Sequence, residues 1–434
     1  MNQNSYFELQ IYNNKWIIGA MNNADCQIDV LVIGAGPSGC VAAAYLHHQG
    51  FKIKVVEKSK FPRFVIGESL LPRCMDHFEE AGLLDCLNQC DFEVKSGARF
   101  LKGDKTCHFD FSEKYTDGWN WTWQVPRADF DSVLANELEK KGVEICFEHE
   151  VTNVTFEDNG LSKTSIKNKK GDISIIHARF IIDSSGYGRV LPRLLQLEKP
   201  STIPEHASIF THVKDLKRPN GREGTLITFD VLDNDTWFWV IPFSNGVTSI
   251  GFVGKIDFIE SFNDNLKEML KLSNHYFERF EGSDFLFEPI CIKNYSKSVT
   301  QLYGNGYALT GNSAEFLDPV FSSGVTFATE SALLSAKLVT KMFHGEPVNW
   351  ESEYSNYMKY GINVFATYVK EWYTGRLQNI FFNPFTNPEI KRQICSVLAG
   401  YVWDKTNPFV KNHDRLVKTL AEFIAIENNK NTVH

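Results

Sequence analysis

The sequence has no excess of positive charge, no long apolar run and no paired cysteine spacing, and each absence removes a class of function. Lys and Arg number 45 against 53 Asp and Glu, a formal net charge of −8 without a basic stripe, so no nucleic-acid partner is expected. The longest apolar runs fall well short of the ~20 residues that a membrane helix requires. Met1 to Asp25 lacks a charged segment followed by an apolar one, so no secretory leader is read there. The nine cysteines are odd in number and include no C-x-x-C pair or zinc-type spacing. They read as reduced thiols, which predicts no metal site and a cytoplasmic location. Internal repeats, low-complexity linkers and a separate nicotinamide motif are also missing.

What is present fits a folded protein of more than one lobe. A chain of 434 residues exceeds the roughly 150 expected per domain. Its 43 % hydrophobic and 23 % charged content is that of a globular protein rather than a disordered or fibrous one. Aromatic content of 13 %, with 34 Phe and 9 Trp, allows two readings: a heavily aromatic core, or a pocket lined for a planar ligand. Residues 1–25 are Asn-rich and without period, and Met21 stands just before the first strong strand. They are expected to be a disordered or non-native extension outside the fold.

From Ile28 the run Ile-Asp-Val-Leu-Val-Ile reads as a buried parallel strand that stops at Gly34. Ser38 to Gln49 has a helical pattern closed by Gly50, and Lys52 to Glu57 reads as the next strand, a β-α-β unit with a right-handed crossover. Strand-like runs cover Ala98 to Phe111, Val143 to Phe156 and Ile173 to Asp183, with a helix over Asp129 to Lys141. A β-rich block spans Ala207 to Gly254. Tyr307 to Thr310 is an apolar strand leading through a glycine turn into a helix over Gly324 to Phe343, and the chain from Trp350 onward has helical period. The fold class expected is α/β (α+β). A Rossmann-type dinucleotide-binding domain (26–92, 120–190 and 292–345) carries an inserted β-rich substrate-side domain (93–119 and 191–291) and a C-terminal helical region (346–434).

Gly34-Ala35-Gly36-Pro37-Ser38-Gly39 is a G-x-G-x-x-G between strand and helix. The first Gly makes the tight turn, the second lets backbone approach a pyrophosphate, and the third lets helix and strand pack closely. The pyrophosphate would rest on the helix N-terminal N–H groups. Glu57, 21 positions after Gly36, is placed to accept from ribose hydroxyls, and Ala43 and Lys58 complete this candidate cofactor set. The motif alone suits NAD as well as FAD.

Two later segments carry a resemblance. Phe180-Ile-Ile-Asp183-Ser-Ser-Gly186-Tyr-Gly188-Arg189 resembles the Asp-Gly fingerprint of the FAD-dependent aromatic hydroxylase fold. Tyr307-Ala-Leu-Thr-Gly311-Asn312-Ser313-Ala314 is similar to its Gly-Asp segment, with Asn312 where that fold has Asp, and Arg127 falls where it has an Arg near the flavin. The resemblance implies FAD as cofactor, with Arg127, Asp183, Gly186, Gly311, Asn312 and Gly324 among its binding residues. An amide at 312 still hydrogen-bonds a hydroxyl.

Phe61-Pro62-Arg63-Phe64-Val65-Ile66-Gly67-Glu68-Ser69-Leu70 is similar to the signature of flavin-dependent halogenases, a resemblance that runs from Ile28 to about Phe343. Trp237-Phe238-Trp239-Val240-Ile241-Pro242 fits the family's W-x-W-x-I-P, Lys95 stands where it has an essential lysine, and Asp318-Pro319-Val320-Phe321-Ser322-Ser323-Gly324-Val325 resembles its halide segment. The family's chemistry turns chloride or bromide into hypohalous acid with O₂ and reduced flavin, here expected from a separate flavin reductase. The resemblance gives Lys95 the role of holding that acid or carrying it as a haloamine, which burial would favour by keeping the amine reactive. Backbone N–H groups at Ser323 and Gly324 would bind the halide. Trp237, Trp239 and Pro242 would form a rigid strand that keeps substrate away from the flavin. Relatives acting on free tryptophan carry Glu three positions before the halide-segment glycine. Phe321 stands there instead, so the expected acceptor is an electron-rich phenol or similar aryl ring, free or held on a carrier protein.

Blander readings exist for several of these. Aromatic alternation at period two is also what a packed strand shows, and Trp121-Thr-Trp123-Gln-Val-Pro126 nearly repeats the tryptophan motif as part of the Arg127 strand. Phe365, Tyr368, Trp372, Tyr373, Phe381 and Phe382 could roof a pocket or simply fill the core. An aromatic monooxygenase or a C=C reductase shares the fold, though a reductase has no use for Lys95 or the Trp-x-Trp strand. A non-catalytic FAD-binding protein would retain flavin without oxygen- and halide-dependent turnover.

Overall fold

The Ile28–Ile33 strand does not alternate polar and apolar residues because it is covered on both faces and both edges. In the computed structural model, which describes residues 28–384 and 387–432, it lies parallel to Ile53–Glu57 on one side and Ile173–Asp183 on the other. Tyr307–Leu309 and Glu144–Phe147 extend the parallel sheet at either end. Residues 1–25, expected to stand apart from the fold, lie outside the described residues. The first half of Ile173–Asp183 also pairs antiparallel with Ser162–Asn168, which in turn pairs with His149–Phe156. Helix Pro37–His48 crosses between the first two strands and packs on the long helix Gly324–Phe343.

A second sheet of seven strands runs Ile290–Lys293, Ala207–Lys214, Val247–Gly254, Trp237–Pro242, Thr228–Val231, Gly97–Lys102 and Lys105–Asp110. Trp237–Pro242 is buried along its whole length. Its alternation therefore separates two apolar environments: Trp237, Trp239 and Ile241 join the main core, while Phe238 and Val240 join a second core. That second core is closed by three short helices, Ile256–Ser261, Leu266–Leu270 and Phe277–Phe280, which the β-rich reading of this region did not anticipate. The C-terminal region is helical as expected, chiefly Asn356–Tyr373, Pro388–Leu398 and His413–Thr432. Every described cysteine is unpaired, and no helix among the described residues is long and apolar enough to cross a membrane.

The turn after the first strand is packed against its own continuation. A Cβ on Gly39 would lie 1.9 Å from the Gly34 carbonyl oxygen, and one on Gly34, at φ +100°, would lie 2.5 Å from the Ser184 carbonyl oxygen. Neither neighbour is a flexible side-chain tip. Gly39→Ala is expected to lower stability by about 1–3 kcal/mol through overpacking. Denaturant unfolding measures this, and an unchanged midpoint would contradict the packing.

Candidate active site

One cavity of about 430 Å³ opens at the carboxyl ends of the parallel strands and runs to the face of the seven-stranded sheet. Gly34, Gly36, Glu57, Lys58, Arg127, Gly186, Gly311, Asn312 and Gly324 line it, as do Trp237 and Trp239 of the seven-stranded sheet. The tertiary structure thus gathers residues from positions 34 to 324 around one volume.

Glu57 is buried at the end of its strand, its Oε2 accepting from Ala35 N at 2.8 Å and its Oε1 from Ser59 N at 2.9 Å. The carboxylate therefore braces the glycine turn that it adjoins. Lys58 is solvent-exposed and pairs with Glu150 at 3.0 Å. Arg127 opens the helix Arg127–Lys140 and holds Asp131 with two nitrogens at 2.8 and 3.0 Å, while its third donates to the Ile66 and Gly67 carbonyls. Asn312 sits in a short turn whose carbonyl accepts from Arg189.

Several expected contact residues stand behind the wall. Ala43 and Gly39 are buried in the helix core, so they shape the turn without touching the cavity. Asp183 has no access to the cavity: its Oδ1 accepts from Ser185 N and its Oδ2 from Leu191 N, which fixes the turn that presents Gly186. Pro242 contributes its carbonyl to Gln124 Nε2 at 2.5 Å rather than a face to the cavity. In the segment Asp318 to Val325, Ser322, left-handed at φ 55°, reaches the wall together with Gly324, and Ser323 is buried off it. Phe321 packs edge-on against Trp372 and Tyr368, also off the wall. None of the aromatic tail residues lines the cavity, so they fill core. Trp121-Thr-Trp123 flanks Lys95 instead of the cavity, because Thr122–Gln124 pairs with Glu93–Lys95.

Lys95 is 2 % exposed. Its Nζ donates to Ser69 Oγ at 2.8 Å and to the Leu70 carbonyl at 2.7 Å, and lies 5.6 Å from the Phe111 ring centre. No carboxylate compensates the charge, so burial pulls the amine down to about 7. Ser69 itself lines the cavity, so its hydroxyl links the amine to the wall.

Arg63 was not singled out by the sequence. Its guanidinium lies 3.5 Å from where a Gly36 Cβ would stand, pairs with Asp131 at 3.1 Å and lines the cavity, so it is the cation nearest the glycine turn. Its place in Phe61-Pro62-Arg63, beside the motif, was the available signal. Trp237 Nε1 donates to Tyr373 Oη at 3.4 Å, and that phenol donates to Asp318 at 2.9 Å, a buried carboxyl that burial raises above its usual range.

This cavity fits FAD. At Gly36, which lines the cavity, a Cβ would touch only the Arg63 and Asp131 side-chain tips, so a pyrophosphate would lie beside a helix N-terminus and a guanidinium, and a Cβ at Gly186 would meet nothing within 4 Å. Residues 27–265 match the FAD binding domain family. The chain is 30 % identical to the flavin-dependent halogenase armH5 of Armillaria mellea over 77 % of its own length and 68 % of that protein. The chain belongs to the flavin-dependent halogenase family. As a member it is an FAD-dependent oxidoreductase of mixed α/β fold. A 1H-pyrrole-2-carbonyl-[peptidyl-carrier protein] chlorinase of Pseudomonas fluorescens is 26 % identical over 88 % of this chain and 90 % of that one. A solved flavoprotein/dehydrogenase of Cytophaga hutchinsonii is 50 % identical, with a TM-score of 0.90 over 92 % of this family member and 99 % of that chain.

Two outcomes follow from this geometry. A Cβ at Gly36 would meet only the Arg63 and Asp131 side-chain tips, at ordinary contact distances of 3.5 and 3.9 Å, so on Gly36→Val the fold is expected to survive while FAD affinity falls at least about tenfold. Flavin fluorescence titration measures it, and unchanged affinity would misplace the cofactor. Lys95 binds its proton less well folded than unfolded, whose ordinary value is 10.5. Its contribution is therefore present above pH 10.5 and lost as pH falls through about 7. Lys95→Met is expected to stabilise the protein by up to about 5 kcal/mol below pH 7, with the gain vanishing above pH 10.5. A gain independent of pH would reject the suppressed charge.

Proposed function

We propose that this chain uses reduced FAD, O₂ and chloride or bromide to make hypohalous acid, and that Lys95 directs it onto an electron-rich phenol or related aryl ring. The observation that carries the reading is the buried Lys95 amine, lowered to about 7 and separated from the cavity by Ser69. When bound and reduced, FAD would supply the two electrons that take one atom of O₂ to water while the other oxidises halide to hypohalous acid. The protein's own part is then positional. Gly324 opens a long helix on the cavity wall, where unpaired backbone N–H groups favour an anion. A lysine partly neutral near pH 7 has a free electron pair, so it can hydrogen-bond the acid or exchange an N–H for N–halogen with release of water. Trp237 and Trp239, both buried in one strand, give the wall a fixed aromatic face.

The substrate side follows from Phe321, which leaves no carboxylate three positions before Gly324. A phenol or pyrrole activates its own ring and has less need of one. The carrier-bound substrate in the name of the Pseudomonas chlorinase supports a tethered substrate for this chain as well. A separate flavin reductase would deliver the reduced cofactor, and the FAD would be held by segments 26–92, 120–190 and 292–345. The Cytophaga relative's description as a dehydrogenase favours a second reading, substrate oxidation or reduction without halide.

The separating experiment combines the protein with FAD, a flavin reductase, NADH, O₂, bromide and a phenol. Brominated product by mass spectrometry is expected, and Lys95→Ala is expected to lose it about 10²-fold or more while FAD binding and oxygen-dependent flavin reoxidation persist. Full bromination by the Ala variant would remove Lys95 from the mechanism. Halide-independent oxidation of NADH coupled to reduction of an organic acceptor would favour the dehydrogenase reading.

A further inference from the structure

We propose that Tyr187 is a site of self-halogenation, the ring that takes the halogen when no substrate occupies the cavity, an inference that rests on the halogenase reading above. Tyr187 lies in the short turn Gly186–Gly188, so each of its chain neighbours is a glycine without a side chain to cover the ring. It lines the cavity and is 43 % exposed. Among the described tyrosines it alone is exposed.

Its position is next to the chemistry. The ring meets Phe316 edge-on at 5.5 Å between centres, and an atom of the Phe316 ring stands 3.4 Å from where a Gly324 Cβ would lie. Gly324 opens the long helix whose unpaired N–H groups favour an anion. Arg127 and Asn312, which also line the cavity, act on the Tyr187 hydroxyl. Arg127 in turn donates to the Ile66 and Gly67 carbonyls of the strap that carries Ser69, the partner of Lys95. Tyr187 therefore adjoins both the helix start where halide would gather and the arginine that grips the strap.

Hypohalous acid attacks thiols and thioethers fastest, then free amines and activated rings. The cavity wall formed by the described residues has no Cys or Met. The Lys58 amine is paired with Glu150, and an ammonium has no lone pair to offer. Trp237 and Trp239 are buried, with their indole N–H groups given to Tyr373 and Ser249. Tyr295 is buried too and donates its hydroxyl to Asp318. Phe64 is exposed, but its ring has no oxygen to activate it. Of these wall residues, Tyr187 is the one that joins an open position to an electron-rich ring.

The step balances without a further reagent. The ring carbon next to the hydroxyl-bearing carbon attacks the halogen of hypohalous acid. A carbon–halogen bond forms, the halogen–oxygen bond breaks, and its electron pair leaves on hydroxide. The displaced ring hydrogen goes to that hydroxide as a proton, giving water. The ring is oxidised and the halogen reduced by one electron pair.

The test runs the FAD-loaded protein with flavin reductase, NADH, O₂ and bromide, with catalase to remove peroxide and free methionine to trap escaping hypobromous acid. No aryl substrate is added, and bromine is read at every tyrosine by peptide mass spectrometry. At least about tenfold more bromine is expected at Tyr187 than at any other tyrosine, because the acid forms beside it. Added phenol should lower that labelling by competing for the acid. Tyr187→Phe keeps the ring but removes its activation, and should end labelling at that position. Bromine spread evenly over the tyrosines would overturn the proposal, as would labelling of Tyr187 that phenol leaves unchanged. Bromophenol or bromide-dependent methionine sulfoxide formed while Tyr187 stays unlabelled overturns it too, with the halogenase reading intact. Absence of brominated protein, bromophenol and bromide-dependent sulfoxide alike is the distinct result that fails the halogenase reading itself, and the self-halogenation with it.

Discussion

Three hydroxyls stitched together at the ends of three parallel strands set the geometry on which the cavity depends. Ser38 Oγ lies 2.8 Å from Thr310 Oγ1 and 3.1 Å from Ser184 Oγ, and the last two are 2.8 Å apart. They join the turns after Ile28–Ile33, Ile173–Asp183 and Tyr307–Leu309, segments 126 to 272 residues apart in pairs. Because Gly34 and Gly39 leave the first of these turns no spare room, the triangle fixes where the cavity floor lies. Gly186, Gly311 and Asn312 each follow one of the stitched turns, and each reaches the wall.

Above that floor the strap from Phe61 to Leu70 crosses to the second sheet, and two of its side chains hold groups that are costly to bury. Lys95 gives up most of its affinity for a proton, and Glu68 keeps one oxygen unpaired. A protein shaped for stability alone would fill both positions with apolar residues. Retained polar strain at a cavity wall is the usual mark of a site where proton affinities are used.

The C-terminal helices contribute by support. Tyr373, on Asn356–Tyr373, stacks on His206 with ring centres 4.0 Å apart and links Trp237 to Asp318. Trp372 packs on Phe100 and Phe321. These contacts clamp the tryptophan strand and the segment from Asp318 to Phe321 to one another, so the aromatic richness of the chain goes mainly into a core around the site.

Local elements with strong periodicity or punctuation were legible in the amino-acid order. Helix Gly324–Phe343 has the boundaries its glycine and apolar pattern implied, and the glycine motif specified its strand, turn and helix within a residue or so. Motif resemblance, not pattern, picked out Lys95, since its strand has three residues and exists only by pairing with Thr122–Gln124. Only the tertiary structure decided which side chains face the cavity. Period two says that Trp237 and Phe238 point opposite ways but not which way is inward when both sides are apolar. A single left-handed residue, Ser322, decides that Ser323 turns from the wall. The His212–Glu68 pair spans 144 residues and joins the strap to the seven-stranded sheet, and no local rule of spacing or propensity encodes a contact that arises only when separate elements are brought together by packing.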